Sequence, residues 1–491
     1  MVPLISLILA TLVVGTLATF AAGTRARWVA LATSAVFLAE VAFLFLGYPG
    51  WPGYSSALVP GFSDTETYTW IHLSWLTINY SVGVDGISLV LILLTAILQI
   101  VTVVYSWGES RRPGAWFGLV LLTCLGSFGV FVALDILLFF LFWEAVLVPM
   151  FFIIGYWGGP NRRYAALKFF VYTHVASIVM LVGLLALAFY SGATSFDFSS
   201  VYAAARSLAP VTQTFLFLAL FFGFSVKFPV VPFHTWLPDA HVEAPTGGSV
   251  LLAGLLLKLG GYGLIRWAVE VLPSAVHSLQ PLLFLIAFVS ILWGSLVALA
   301  QRDLKRLVAF SSINHMGIVL LAIALDSSLG LLAAVLLMFA HGIVSALLFM
   351  TSGSVHHQYG TRDLQSLGGI TPSGPALATM IMAGALASLG LPALIGFPAE
   401  FTAFLATYNG LGYWVLIPLA VLVVTAAFYL WMMQRMLFGP PRGLPVESHP
   451  LPWYEGAAMG ILVAMTVLFG ILPGLLVNVI VNSPVKGFPG T

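Results

Sequence analysis

Apolar runs about as long as a membrane-spanning helix recur from one end of the chain to the other, and they constrain the fold more than any motif. A helix needs roughly 20 apolar residues to cross the hydrocarbon core of a bilayer. By that measure the 491 residues contain fourteen such runs. Only 7% of the residues are charged, whereas a soluble domain has about 25%. The sequence therefore predicts an all-α polytopic membrane protein with about 14 transmembrane helices.

Several classes of function are excluded by composition. A net charge of +1 gives no basis for a nucleic-acid partner. Cys124 is the only cysteine, which excludes internal disulfides and cysteine-ligated iron–sulfur clusters. No glycine-rich dinucleotide fingerprint and no P-loop is present. The histidines of residues 232–246 and the pair His356 and His357 lack metal-ligand spacing, so we expect no metal site and no cofactor bound by this chain.

Two of the predicted helices carry proline and glycine where a straight helix would tolerate neither. The twelfth run, 373–408, is too long for one crossing and contains "LGLPALIGFPAEF". The seventh run, 213–231, ends in "KFPVVPFHTWLP". Proline removes a backbone donor and clashes with the preceding turn. We therefore predict that helices seven and twelve are broken.

Basic residues predict the orientation of the helices. With both termini outside, thirteen Lys and Arg residues fall in cytoplasmic loops and three fall outside, which satisfies the positive-inside rule. The cytoplasmic residues are Arg25, Arg27, Arg111, Arg112, Arg162, Arg163, Lys168, Arg302, Lys305, Arg306, Arg362, Arg435 and Arg442. The outside residues are Arg206, Arg266 and Lys486. The first run reads as a membrane helix, because no basic segment precedes it as in a signal peptide.

Ionisable residues remain inside the predicted helices, although each costs on the order of 2.5 kcal/mol or more at mid-membrane. They fall near mid-helix or beside the two breaks: Glu144, Lys258, His315, His341, Lys227 and Glu400. Such groups persist if they pair with one another or contact water, and a helix break supplies further polar backbone. One connected polar stripe would satisfy all of them. Because the pKa of each group depends on its neighbour's charge, such a stripe can carry protons.

Structural explanations remain open for each of these residues. Glu144 could belong to an ion pair that never titrates, and the two lysines could extend to an interface. The histidines could be hydrogen-bonded core residues, and the same holds for His174 in helix six. Asp135 precedes helix five, where it could cap the helix.

The order of helices also predicts a duplication. Helices four to eight and helices nine to thirteen form two groups of five, and an odd number of crossings inverts the second group. The predicted units are therefore 1–114 (helices one to three), 115–270 (first repeat), 271–440 (second, inverted repeat) and 441–491 (helix fourteen). Lys227 and Glu400 then lie at equivalent breaks with opposite charges.

Three long motifs resemble the antiporter-like subunits of respiratory complex I. They are "LFFLFWEAVLVPMFFIIGYWGGPNRRYAALKFFVYT", "KFPVVPFHTWLPDAHVEAPTGGSVLLAGLLLKLGGYGLIR" and "QRDLKRLVAFSSINHMG". The resemblance extends from about helix three to helix thirteen. A tryptophan before Glu144, the "GGPNRRYAALKFF" stretch and a glutamate in helix twelve make the chain most similar to subunit M (the mitochondrial subunit 4 type).

This resemblance implies fourteen helices in two inverted five-helix repeats, and it implies roles for particular residues. Glu144 matches the glutamate of helix five, Lys227 the lysine of broken helix seven, and Lys258 the lysine of helix eight. Glu400 matches the acid of helix twelve. His315, His341 and Asp135 match polar positions of helices ten, eleven and five.

The function implied is proton translocation driven by electron transfer in other subunits. NADH or another donor, flavin, iron–sulfur clusters and quinone would belong to those partner subunits. The partners would be the other membrane-arm subunits, within a prokaryotic cell membrane. Subunits of multisubunit Na⁺/H⁺ antiporters and of membrane-bound hydrogenases share the same domain and remain alternatives. A passive scaffold is disfavoured, because it could have leucine at every ionisable site.

Overall fold

Four of the described helices begin directly after a residue whose side chain caps them. The computed structural model describes residues 3–48, 63–74, 76–440 and 450–482. Asp85, Asp135, Asp303 and Ser327 each accept a hydrogen bond from a backbone N–H in the first turn of the helix that follows. Such caps satisfy donors that have no partner within the helix. Arg442 and Lys486, which entered the orientation argument, lie outside the described residues.

The first half of the described chain contains a β-hairpin and twelve helices. The strands are β1 (Ser63–Leu73) and β2 (Leu76–Val84). The helices are α1 (Leu4–Ala21), α2 (Ala26–Leu46), α3 (Gly86–Tyr105), α4 (Pro113–Val132), α5 (Ile136–Ala145), α6 (Leu147–Trp157), α7 (Arg162–Ser191), α8 (Phe198–Ala205), α9 (Pro210–Lys227), α10 (Trp236–Glu243), α11 (Thr246–Leu251) and α12 (Leu257–Gly263). π-Helical turns, Leu252–Leu256 and Leu264–Val269, lie on either side of α12.

The second half of the described chain is helical. Its helices are α13 (Pro273–Leu299), α14 (Leu304–Ala324), α15 (Ser328–Tyr359), α16 (Ile370–Ser373), α17 (Pro375–Ser388), α18 (Gly396–Leu411), α19 (Leu416–Leu437), α20 (Trp453–Ile471) and α21 (Gly474–Val481). Thirteen segments of the described chain are long and apolar enough to cross a membrane, and one of them, of 42 residues, contains both α18 and α19. The multi-span helical fold predicted from the sequence is therefore confirmed.

Both predicted helix breaks are present. α9 ends at Lys227, and the chain turns through two prolines before α10 begins at Trp236. The Trp236 indole donates to the carbonyl of Val226, 2.8 Å away, which satisfies an acceptor at the end of α9. α17 ends at Ser388 and α18 begins at Gly396. In that second break Gly390 has a positive φ of 69°, which glycine adopts at little cost.

Two features differ from the sequence-based expectation. Helix five is interrupted at Val146, between α5 and α6. Pro149 lies three residues further on and has no N–H to continue the hydrogen-bond ladder. The segment between α2 and α3, for which the sequence predicts no transmembrane helix, contains β1 and β2, which pair antiparallel. The hairpin escaped prediction because strands of this length alternate polar and apolar residues and give no long apolar run. The inverted five-helix repeat remains a prediction.

The most buried helices lie where the functional residues are. Every residue in the most apolar stretch of α14 is buried, and so is every residue in the most apolar stretch of Thr246–Val269, the segment that contains α11 and α12. By contrast, only 39% of the residues in the most apolar stretches of α1, α2, α7 and α13 are buried, as expected of helices facing lipid or another chain. α15 is the longest helix described, at 32 residues, and it packs against α14, α17, α18 and α20. The interior is thus organised around α14 and α15.

Candidate functional site

Four of the predicted residues form a continuous line of side-chain contacts through the interior. The Lys258 ammonium lies 2.7 Å from Nδ1 of His341. The His341 and His315 rings are 5.4 Å apart between centroids. His315 Nε2 lies 3.4 Å from a carboxylate oxygen of Glu400. We call this set, which connects α12, α15, α14 and α18, the central chain.

The central chain is almost fully withdrawn from solvent. Lys258 is 0% exposed, and none of its other three members exceeds 5%. A cavity of about 20 Å³ lies between His315, His341 and Glu400. A polar cavity of roughly 10–15 Å³ or more can hold a water molecule. The space is therefore large enough for one water to bridge the two imidazole rings.

Local backbone geometry positions each end of the central chain. Lys258 follows a π-helical turn, and its ammonium also donates to the carbonyl of Ala253 within that turn. π-Helical turns displace carbonyls from regular α-helical bonding. At the other end, Glu400 lies in the first turns of α18, directly after the break. Gly390 leaves the space for the Glu400 carboxylate, because a Cβ at that position would lie 2.6 Å from its Oε2.

Hydrogen bonds determine which His315 nitrogen faces the acid. Nδ1 of His315 lies 2.8 Å from the carbonyl of Ser311, one turn earlier in α14. A carbonyl only accepts, so Nδ1 carries hydrogen and Nε2 faces Glu400. Tyr429 of α19 donates to the Ser311 hydroxyl over 3.0 Å and accepts from Ser388 over the same distance. Tyr429, which the sequence did not single out, thereby joins the second helix break to the central chain.

Glu144 and Lys227 form a second group, in which each side chain has a partner of its own. The Glu144 carboxylate lies 2.9 Å from Nδ1 of His174, on α7. The Lys227 ammonium instead donates to the carbonyl of Trp143 over 3.1 Å and lies 3.8 Å from the centre of its ring. Across the described residues, Glu144 and Lys227 form no ion pair in this structure. His174 thus has a specific charge partner.

The two groups differ in exposure. Lys227 is 2% exposed, whereas the side chains of Glu144 and His174 are 22% and 40% exposed. Lys227 lies close to the helix of Lys258, since a Cβ at Gly260 would fall 2.6 Å from the backbone nitrogen of Phe228. No hydrogen bond joins the two lysines among the described residues. The side chains of Glu144 and His174 are therefore partly exposed, whereas those of Lys227 and Lys258 are buried.

Asp135 caps α5 at a distance from both groups. One carboxylate oxygen accepts from the N–H groups of Leu137 and Leu138, and the other accepts from the N–H of Asn79 on β2. Asp135 is fully buried. Burial, the largest influence, raises the pKa of this carboxyl to about 6, against the opposing effect of its three backbone hydrogen bonds. The structure thus gives Asp135 the capping role that the sequence had left open.

His241 is a further buried histidine that sequence reasoning considered only for metal binding. It is 0% exposed and stacks on Phe349 of α15, with 4.3 Å between ring centroids. Neither of its ring nitrogens has a hydrogen-bond partner in the described part of the chain. In the sequence His241 follows shortly after the break in helix seven, and this position could have identified it as a candidate functional residue. Among the described residues, no three His, Cys, Asp or Glu side chains are grouped so as to hold a metal ion.

The chain is similar in sequence to known proteins over most of its length. Residues 133–428 match the family described as NADH:quinone oxidoreductase/Mrp antiporter, transmembrane. The F(420)H(2) dehydrogenase subunit M of Methanosarcina mazei is 39% identical over 98% of this chain and 97% of its own length. The chain belongs to this family. The complex I resemblance read from the three motifs is thereby confirmed.

Further members match the chain over nearly its whole length. The NADH-quinone oxidoreductase subunit M of Rhodobacter capsulatus is 39% identical, over 94% of this chain and 90% of its own length. A chain of respiratory complex I from Thermus thermophilus, solved with bound NADH, superposes with a TM-score of 0.88 at 26% identity. That superposition covers 99% of this chain and 100% of the other. Assignment to the subunit M type of this antiporter-like family is therefore confirmed.

Proposed function

We propose that the chain is the proton-translocating membrane subunit M of an NADH-quinone oxidoreductase of the complex I type. The observation that carries the proposal is the central chain, in which four titratable side chains succeed one another through a dry interior. Burying each of them separately would be costly. Arranged in contact, every member can give a proton to the next and receive one from the previous member.

The proton steps follow from the geometry. The charged ammonium of Lys258 donates to Nδ1 of His341, so the neutral imidazole carries its hydrogen on Nε2. When Lys258 passes its proton to Nδ1, His341 releases the Nε2 proton to water in the adjoining cavity. That water protonates His315 at Nε2, and His315 hands the proton to Glu400. A second proton from the cytoplasmic side then restores Lys258.

The pairing of Glu144 with Lys227 controls the charge of Lys227. In one state Lys227 pairs with Glu144, and in the other it lies against Trp143, as this structure shows. Loss of the carboxylate and approach to Lys258 both favour a neutral amine. When the pair opens, Lys227 would therefore release its proton to Lys258, which accepts it once its own proton has passed to His341. The exposed face with Glu144 and His174 is where a neighbouring membrane-arm subunit would transmit its charge.

Partner subunits would supply the driving force. NADH or another reduced donor, flavin, iron–sulfur clusters and quinone belong to those partners in our proposal, and this chain binds none of them. The assembly would lie in a prokaryotic inner membrane, with the basic loops toward the cytoplasm. Asp135 lies apart from the central chain and acts as a helix cap in this scheme.

The test replaces Glu144 or Lys227 in the assembled complex. Glu144→Gln and Lys227→Ala should leave the complex assembled, as judged by native gel electrophoresis. NADH-driven proton uptake by inverted membrane vesicles should fall on the order of tenfold, since these groups act as proton donors and acceptors. Arg206→Gln, an exposed charge outside both groups, is the control. Normal pumping in both variants would refute the proposal.

A second candidate assembly is favoured by two observations: the matching family includes Mrp antiporters, and one relative is an F(420)H(2) dehydrogenase subunit. Membrane-bound hydrogenases are the other alternative. Purification of the native complex with mass spectrometry of its chains separates these possibilities. Flavin and iron–sulfur subunits with an NADH site support our proposal, whereas antiporter or hydrogenase subunits contradict it.

A further inference from the structure

A carboxylate remote from the central chain is buried in a hydrogen-bonded cluster on the side of the molecule that carries the basic loops. Glu455, in the first turn of α20, is 5% exposed. One of its oxygens accepts from the Ser354 hydroxyl over 2.6 Å, and the other lies 2.9 Å from Nδ1 of His357. The Tyr105 hydroxyl lies 3.2 Å from that of Ser354. A carboxylate that only terminates a helix does not require such partners. Because Glu455 is linked to two hydroxyls and an exposed imidazole, we infer a role beyond the end of the helix.

The cluster opens into a cavity of about 340 Å³. We call this cavity the vestibule. It is bounded by α3, α4, α11, α15 and α20, and the titratable or charged groups facing it are Tyr105, Glu109, Arg111, His357, Tyr454 and Glu455. Trp116 also lines the vestibule, is 2% exposed, and has no hydrogen-bond partner for its indole N–H among the described residues. A buried donor without a protein partner at the wall of a polar cavity indicates water there.

Hydroxyl groups of α3 and α11 lie at the wall of the vestibule. A Cβ added at Gly353 would lie 2.2 Å from the Thr246 hydroxyl and 2.7 Å from that of Tyr105, so both hydroxyls lie over this glycine. Phe349, one helical turn further along α15, carries the stacked His241 ring. Ser354 precedes Tyr105 on this path and lies 13 residues from His341, roughly 20 Å along the helix. Ser352, on the same helix, is fully buried and has no partner in the described chain.

We propose that the vestibule collects protons for the central chain, with Glu455 as the first acceptor. This inference rests on the proposed function. A hydronium ion in the vestibule gives its proton to the Glu455 carboxylate and becomes water. The acid passes a proton to Ser354 as Ser354 passes its own to Tyr105, since each hydroxyl both donates and accepts. The Tyr105 hydroxyl, which donates to the carbonyl of Met350 over 3.0 Å, then turns its hydrogen to water beside Thr246, and His241 receives that proton on the way to Lys258.

The experiment compares three variants of the intact complex in inverted vesicles, with NADH as donor. Glu455→Gln should assemble normally and pump several-fold more slowly, with the deficit growing from roughly pH 6 to roughly pH 8.5 as bulk protons become scarce. Glu455→Asp, which keeps the carboxylate, should restore most of the rate. Glu109→Gln removes a charge from the same vestibule outside the hydroxyl path and should pump like the native complex.

Two controls separate this inference from its alternatives. If Glu455→Gln pumps normally across the pH range while Glu144→Gln is impaired, the inference fails and the proposed function stands. If Glu144→Gln and Lys227→Ala are also normal, the proposed function itself fails. A purely structural Glu455 would lower the amount of complex but leave the pH profile per complex unchanged, which also overturns the inference. Should Glu455→Gln not assemble, Ser354→Ala cuts the same path with the charge retained, and it should show the same pH-dependent loss.

Discussion

At the scale of single residues, Asp135 illustrates how the position of one carboxylate decides its role. Its sequence context allowed either a helix cap or a member of the proton path. Three backbone N–H groups converge on it, two from α5 and one from β2. A carboxylate that accepts three backbone hydrogen bonds is held firmly in place, and it ties the hairpin to the start of α5.

The pKa of Asp135 leads to a prediction about stability. Because burial raises the folded-state pKa from 3.8 to about 6, the folded protein holds this proton more tightly than the unfolded chain does. That stabilisation is complete below about pH 4 and is lost as the pH rises through about 6. Asp135→Asn cannot titrate, so the variant should lose less thermal stability between about pH 5 and about pH 7.5 than the native protein. Equal losses, measured by thermal denaturation of the purified complex, would contradict this assignment.

The partners of Glu144 and Lys227 could not be read from the sequence. Their depth in the helices is set by sequence position, since each residue adds 1.5 Å of helix. Which side chain each one faces depends on how α5, α7 and α9 rotate against one another, and local propensity does not fix this. Glu144 therefore meets His174, although the position of His174 in α7 was equally compatible with an ordinary hydrogen-bonded core histidine.

At the scale of secondary-structure elements, the two helix breaks were predictable because proline and glycine act through the local backbone. Pro229 and Pro232 remove donors regardless of what surrounds them. The β-hairpin contains no long apolar run from which it could be predicted. Its strands are held partly by contacts with residues that are distant in the sequence. Glu66 of β1, for example, accepts the backbone N–H of Ile5 on α1 over 2.8 Å. Contacts between residues so far apart in the sequence can be identified only in the assembled structure.

Gly390 provides a test of the second break. A methyl group there would lie 2.6 Å from the Glu400 carboxylate, and the positive φ would be strained. Gly390→Ala should therefore displace Glu400 from His315 and reduce proton pumping more than it reduces assembly. Gly460→Ala, on α20, meets nothing within 4 Å and is the matched control. Pumping by Gly390→Ala at the control's rate would show that the position of Glu400 does not depend on this glycine.

At the scale of the whole molecule, one buried ionic cluster joins the start of α3 to the π-helical turn that follows α12. Arg266 donates to Asp85, the cap of α3, and to Glu270 over 2.9 Å. Arg266 is 2% exposed, Asp85 is 0% exposed and Glu270 is 7% exposed. Buried charges of this kind persist only when they are paired. The cluster fixes the π-helical end of the Lys258 segment against α3, and so it sets the position of the central chain.

Removal of the arginine should destabilise the protein strongly. Arg266→Met leaves two buried carboxylates without a cation, which costs about 3–5 kcal/mol when one partner of a buried pair is lost. The denaturation midpoint and the yield of assembled complex should both fall. Arg206→Met, at an exposed site, should leave both unchanged. Adding Asp85→Asn and Glu270→Gln to Arg266→Met should recover part of the loss, and failure to do so would indicate that packing rather than charge is responsible.

The small cavity between His315 and Glu400 has a consequence for ion selectivity. A proton can cross it on one water molecule by exchanging bonds, without bringing a coordination shell with it. Na⁺ would need several oxygen ligands at once, and about 20 Å³ leaves no room for them. Transport through this protein should therefore proceed at the same rate in sodium-free medium.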